Sequence, residues 1–234
     1  QAGTVDLVEG IPPWQAESLM SVQSLNIREI RTLGYDYIGW NGTRRPLDDP
    51  EIRKALTMAV DREGIVEELL YGHGRVSPGP VPRSYRVPVK GEAWPYDPDR
   101  SRKILAAKGF KMNGGVLHRD GVPFEIEMTT NAGNELRNMV MVRVQEQLKR
   151  IGVDVRLLPP MQMGAFVARN KSGNFDAYVA GWSFEGKVEL RSLFASGSTP
   201  PHGYNVVRYQ SADFDDAIEA LEQASTLAVM AGAL

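Results

Sequence analysis

Trp182 stands at the end of a short apolar run, Phe175-Asp176-Ala177-Tyr178-Val179-Ala180-Gly181, and is followed by Ser183, Phe184 and Glu185. An aromatic face beside a carboxylate, where a strand runs out, suits a cationic or amphipathic small ligand. On this segment alone, a tryptophan that simply caps the core is the simpler account. The other chemistry-bearing residues are sparse. Cysteine is absent, which removes thiolate nucleophiles, disulfides and thiolate metal sites. His73, His118 and His202 fall on separate stretches without metal-ligand spacing. No Gly-x-Ser-x-Gly elbow, His-Glu-x-x-His helix or Asp-rich calcium loop occurs. Neither a metal nor a cofactor is expected.

Paired carboxylates could still support acid–base chemistry. Asp48-Asp49 precede a proline and an apolar-periodic run, so helix capping accounts for them more simply. Glu67-Glu68, Glu146, Arg143, Lys149 and Arg150 read as solvated faces of amphipathic helices. Glu185 with Asp176 is the one pair that keeps an α/β hydrolase or transferase open as the alternative. Spacing weighs against it, because Asp176 lies well before the end of the run. A purely structural or chaperone-like lobe is a third possibility.

The 234 residues can bury a sizeable core, and the formal net charge of −2 comes without a basic block or stripe. Nucleic acid is therefore not an expected partner. No apolar run approaches the roughly 20 residues that span a bilayer. The chain starts at Gln1, which is not an initiator and suggests a trimmed sequence.

The elements that must position Trp182 read as follows. A strand is expected over Tyr35–Asn41. A helix starts at Asp48-Asp49-Pro50 with Ile52, Ala55, Leu56, Ala59 and Val60 on its buried face. A second starts at Asp61, buries Ile65, Val66, Leu69 and Leu70, and stops at Gly72. Residues 72–96 form a Gly- and Pro-rich loop. Its Gly72-His73-Gly74 follows a helix instead of a strand, so a bend is expected there and not a phosphate cradle. A third helix runs from Asp97-Pro98 to Gly109. Val116–Arg119, a turn at Asp120-Gly121, and Phe124, Ile126 and Met128 suggest a hairpin. Asn134 opens a long helix with Leu136, Val140, Val144, Leu148 and Ile151 on one side, and Val153, Val155 and Leu157 follow as a strand. Strand, helix and strand over 124–158 make a βαβ unit with parallel strands. A helix near 161–171, the strand into Trp182 and a helix through Phe214, Ile218 and Leu221 complete an α/β lobe.

Several segments, in this order, resemble the C-terminal lobe of extracellular solute-binding proteins of family 5, which serve bacterial ABC importers of peptides and nickel. They are Tyr37-Ile38-Gly39-Trp40-Asn41, Arg45-Pro46-Leu47-Asp48-Asp49, Ile52-Arg53-Lys54-Ala55-Leu56 and Ala59-Val60-Asp61-Arg62. The Gly72–Pro82 loop, Tyr96-Asp97-Pro98, Ile151-Gly152-Val153, Phe175-Asp176, Gly181-Trp182 and Gly203-Tyr204-Asn205 continue the series. The resemblance implies one lobe of a type II-like periplasmic binding protein, a mixed sheet flanked by helices, closing on its ligand by hinge motion. Residues 1–34 would be a hinge-side lead-in, 35–224 the lobe core and 225–234 a truncated end, with the N-terminal lobe absent from the chain.

It further implies a monomeric periplasmic or lipid-anchored cell-surface protein without catalysis. Its partners would be a peptide or other small solute and the importer's membrane permease. In peptide-binding members, an aspartate three residues after the Gly-Trp tryptophan pairs with the peptide's α-ammonium. That position is Glu185, whose extra methylene shifts the charge by roughly 1 Å. Gly186-Lys187-Val188-Glu189-Leu190 replaces the proline-rich stretch that usually follows. By the same resemblance Trp182 and Phe184 would wall the site, with Ser183 among the ligand-binding residues. Asn131 would face the ligand or serve as a turn residue, and Arg169 would meet a carboxylate or stay solvated.

Overall fold

A computed structural model describes residues 4–82, 91–185 and 189–223. Local chemistry sets most helix starts. Helix α1 (Pro13–Met20) begins on a first-turn proline and buries none of its residues. After strand β1 (Leu33–Trp40), helix α2 (Pro50–Met58) is capped by Asp49, whose side chain accepts the backbone N–H of Glu51. Helix α3 (Arg62–Leu70) is capped by Asp61 and α4 (Pro98–Ala107) by Asp97 in the same way. Helix α3 stops where Gly72 was expected to end it, with the C-cap Tyr71 in the left-handed region (φ 52°) and Gly72 after it at φ 76°.

The hairpin differs from expectation. Strands β2 (Lys111–Asn113), β3 (Val116–Arg119) and β4 (Val122–Pro123) form a small antiparallel meander. Pro123 lacks an N–H, and the Phe124 N–H makes the last bond to β3, to the Leu117 carbonyl at 2.7 Å. The run from Glu125 onward joins a different sheet as β5 (Glu125–Thr130). Helix α5 (Glu135–Lys149, capped by Asn134) and strand β6 (Asp154–Leu157) follow, and β5 and β6 pair in parallel as a βαβ unit. Helix α6 (Met163–Ser172), strand β7 (Ala177–Phe184), and helices α7 (Leu190–Phe194) and α8 (Ala212–Gln223) complete the order.

The main sheet runs β1-β7-β5-β6, with β1 antiparallel to β7 and the other three parallel. It is a mixed sheet, as expected, with apolar cores on both faces. On one face Ile126, Met128, Val155, Ala177 and Val179 pack with α5 through Met141, Val144 and Leu148. Met141 joins the expected Val144 and Leu148 in that stripe. On the other face Phe166 of α6, Phe175, Tyr178 and Ala180 cluster with Tyr37.

Asp49 also reaches Lys108 at 2.6 Å, and that contact holds its carboxyl below the usual carboxylate range. A depressed folded pKa means the contribution is present above the unfolded value and lost as pH falls through the folded one. We predict that Asp49→Ala costs about 1 kcal/mol near neutral pH, chiefly through the lost cap. The gap to the parent should narrow below about pH 4, the ordinary aspartate range. Urea denaturation at pH 7 and pH 3 measures both.

Candidate functional site

Strand β7 outruns its parallel neighbour. Thr130, the last residue of β5, stands opposite Val179, so Gly181 to Phe184 project past it and pair only with β1. The carboxyl ends of parallel strands are where open α/β sheets receive ligands. Around this projection side chains alternate between faces. Tyr35 and Tyr37 of β1 lie with Tyr178, Ala180 and Trp182 on the α6 face, and Asp36 lies on the α5 face.

The aromatic face is a connected set. Tyr37 Oη meets Tyr178 Oη at 3.2 Å. Tyr35 packs against Tyr37 and Phe184, with ring centroids 5.9 and 6.1 Å away. Tyr204 meets the half-buried Trp182 edge-on at 6.2 Å, and Lys171 lies over the outer face of Tyr204. Burial pushes the Tyr35, Tyr37 and Tyr178 hydroxyls up, so all three stay neutral. The Tyr35 hydroxyl is buried without a hydrogen-bond partner among the described residues.

The opposite face carries charge. Arg137, in the first turn of α5, donates to Asp36 Oδ1 through Nε and Nη2, both at 2.9 Å, and to Asn131 Oδ1 through Nη1 at 2.8 Å. This pair crosses β7 at Gly181, where any Cβ would overlap Asp36 Oδ1 and Arg137 Nη2. Glycine before the tryptophan is therefore required by close packing.

The expected site residues divide as follows. Trp182 and Phe184 are half-buried, while Ser183 and Glu185 are exposed at the strand end; Phe184 also packs onto the cluster of Val81, Leu190 and Ile218. Residues 186–188, part of the expected departure from the proline-rich pattern, lie outside the described residues. Asn131 is at the same end, but it is buried, with its amide committed to Arg137 and to the Ala132 carbonyl. That fits the turn role better than direct ligand contact. Arg169 is not part of this group. It pairs with Glu127 at 3.3 Å, beside the start of β7, roughly 20 Å of strand from Trp182. It is partly exposed there and shares Glu127 with Arg156.

Asp176 is held at that far end too, accepting from the Glu127 backbone N–H and facing Arg44 at 3.4 Å. All eight residues of β7 separate it from Glu185. The carboxylate pair that an acid–base enzyme would need is not assembled. Three contributors were missed at the sequence level: Tyr35, Tyr37 and Tyr204. The alternating Tyr35-Asp36-Tyr37 was the available signal, but its face is defined only by pairing with β7.

A family model for bacterial extracellular solute-binding proteins, family 5 Middle, matches residues 1–205. The chain belongs to this family. Oligopeptide-binding protein AppA of Bacillus subtilis is 34% identical over 222 residues, which cover 92% of this chain and 40% of AppA. Glutathione-binding protein GsiB of Pectobacterium atrosepticum is 28% identical over 230 residues, covering 95% of this chain and 43% of GsiB. The solved structure of AppA in complex with a nonapeptide superposes with a TM-score of 0.85 at 30% identity, over 95% of this chain and 45% of AppA. NikZ from Campylobacter jejuni, in complex with Ni(L-His), shares the fold with a TM-score of 0.84 at 24% identity, over 95% of this chain and 45% of NikZ. This family 5 chain thus spans less than half the length of these relatives. Among its described residues, no helix is long and apolar enough to cross a membrane.

Proposed function

We propose that this chain is the ligand-contacting lobe of a solute-binding protein that hands peptides or related small solutes to the permease of an ABC importer. The observation that carries the reading is the projecting end of β7. It presents an aromatic wall of Trp182, Tyr204 and Phe184 next to the exposed carboxylate of Glu185, on a fold shared with a nonapeptide complex. In this reading Glu185 receives the ligand's ammonium, and the rings accept varied side chains without selecting one strongly. Ser183 points to the opposite face of β7, the side of Asp36 and Arg137, where Asn131 shapes the floor through Arg137.

The opposite wall belongs to an N-terminal lobe outside the 234 residues, and residues 1–34 form the hinge-side lead-in. The protein acts as a monomer on the outer side of the cytoplasmic membrane, in the periplasm or tethered by lipid, and performs no catalysis. Titrating tryptophan fluorescence with a mixed tripeptide pool tests the site. We expect a saturable change in the parent and about tenfold weaker binding in Glu185→Gln, the scale of a lost charged hydrogen bond. Equal affinity in the two proteins would remove Glu185 from the reading, and no response in either would remove peptides.

A further inference from the structure

Away from the strand end, α1, α3 and α5 border an open cavity of about 410 Å³, lined by Trp14, Glu68, Leu69, Tyr71, Glu135 and Met139. Its size lies within the range of small-ligand sites. Two aromatic rings border it, and both are kept substantially in water: Trp14 is 43% and Tyr71 58% exposed. Leu69 and Met139 are half-buried. Tyr71 is held with φ 52° and ψ 36°, a conformation that a bulky side chain seldom adopts, although glycine follows at the next position. Helix α1 buries nothing in the core, so the placement of Trp14 serves no packing need there.

The charges of the lining have one sign. Its carboxylates are Glu68 and Glu135, and no basic side chain lines it. From outside the lining, Arg143 of α5 pairs with Glu68 and, at 3.2 Å, with Glu146. Glu135 has no ion pair among the described residues. One carboxylate is thus matched, and the other shares the lining with two aromatic rings. Aromatic faces and a lone carboxylate both favour a single positive charge.

We infer that the cavity between α1, α3 and α5 binds a monocation on an apolar stem, an alkylammonium of the lysine side-chain type, with the stem against Leu69 and Met139 and the charge between Trp14, Tyr71 and Glu135. This site is separate from the strand-end reading and does not rest on it.

The probe is Nα-acetyl-lysine methylamide, followed through the ¹⁵N-indole resonance of Trp14. A saturable millimolar shift is expected, with the uncharged norleucine analogue about tenfold weaker, as loss of a cation–π and carboxylate contact implies. Tyr71→Gly removes one ring while relaxing the left-handed backbone, so it should keep or raise thermal stability and still weaken the probe about fivefold. Glu135→Gln should weaken it by a similar factor while leaving norleucine binding unchanged. Equal binding of the lysine and norleucine amides would overturn the inference. So would a Trp14 resonance that stays still, or a Tyr71→Gly protein that is intact and binds as the parent does.

Discussion

Gly39→Ala is expected to lower the unfolding free energy by about 3 kcal/mol, at the upper end of what an overpacked methyl costs. Gly39 and Tyr178 are direct partners across the β1–β7 ladder, and the tyrosine ring folds over the glycine. An added Cβ would lie 2.5 Å from Cζ and 2.8–2.9 Å from the Cε atoms of that ring. The ring has nowhere to go. Phe175 meets it at 5.1 Å and Phe166 at 5.7 Å, while its hydroxyl is tied to Tyr37. Tyr178 is 1% exposed, so moving it disturbs the whole α6-face core. For a chain of this length the loss corresponds to a midpoint lower by roughly 9 °C. The contrast is Gly164→Ala, at an exposed position in the first turn of α6 where an added methyl meets nothing within 4 Å. That change should be neutral or stabilising by up to about 1 kcal/mol. Parallel thermal melts of the two variants separate close packing from a general intolerance of glycine replacement.

The second large effect is expected at Asn205, which is 0% exposed. Its Nδ2 donates to the carbonyls of Tyr209 at 2.7 Å, Ala195 at 3.1 Å and Phe194 at 3.2 Å, and its Oδ1 accepts the Tyr209 N–H at 2.9 Å. Leucine has similar volume but none of these capacities, and several backbone groups would be buried without partners. At about 1–3 kcal/mol for each polar group left unpaired, with some relaxation, Asn205→Leu should cost about 4 kcal/mol. The same loop carries Tyr204 to Trp182, so the variant should also lose the near-ultraviolet circular dichroism of that aromatic pair. Full stability with the aromatic signal intact would contradict this account of the loop.

Much of the helical framework was legible because its signals are local. Asp49-Pro50 and Asp97-Pro98 announce helix starts through one side-chain acceptor and one ring without an N–H, and both held. The βαβ unit was legible for the same reason, since each segment carried its own periodicity. What escaped depends on distant pairing. Strand β1 meets β7 more than 130 positions later, and only that register puts Tyr35 and Tyr37 beside Trp182. The Asp36–Arg137 pair joins residues 101 apart across a glycine, and no local pattern encodes it. Strand β2 is short, polar and exposed, so it gave no alternation to read. Asn41 and Asn205 marked the family resemblance and turn out to be loop-fixing amides, each buried among backbone carbonyls. Arg169 is held away from the strand end by Glu127, on a strand 42 positions earlier, which no local pattern reveals.

The central claim is that the projecting end of β7 takes a ligand by its ammonium group. The direct measurement is a ¹⁵N chemical-shift titration with trialanine and with N-acetyl-trialanine, a method that registers even millimolar binding. The account predicts saturable shifts at the Glu185 and Ser183 amides and the Trp182 indole with trialanine, and at least about tenfold weaker binding once acetylation removes the charge. Identical affinity for the two peptides, or shifts that bypass Trp182 and Glu185, would contradict it.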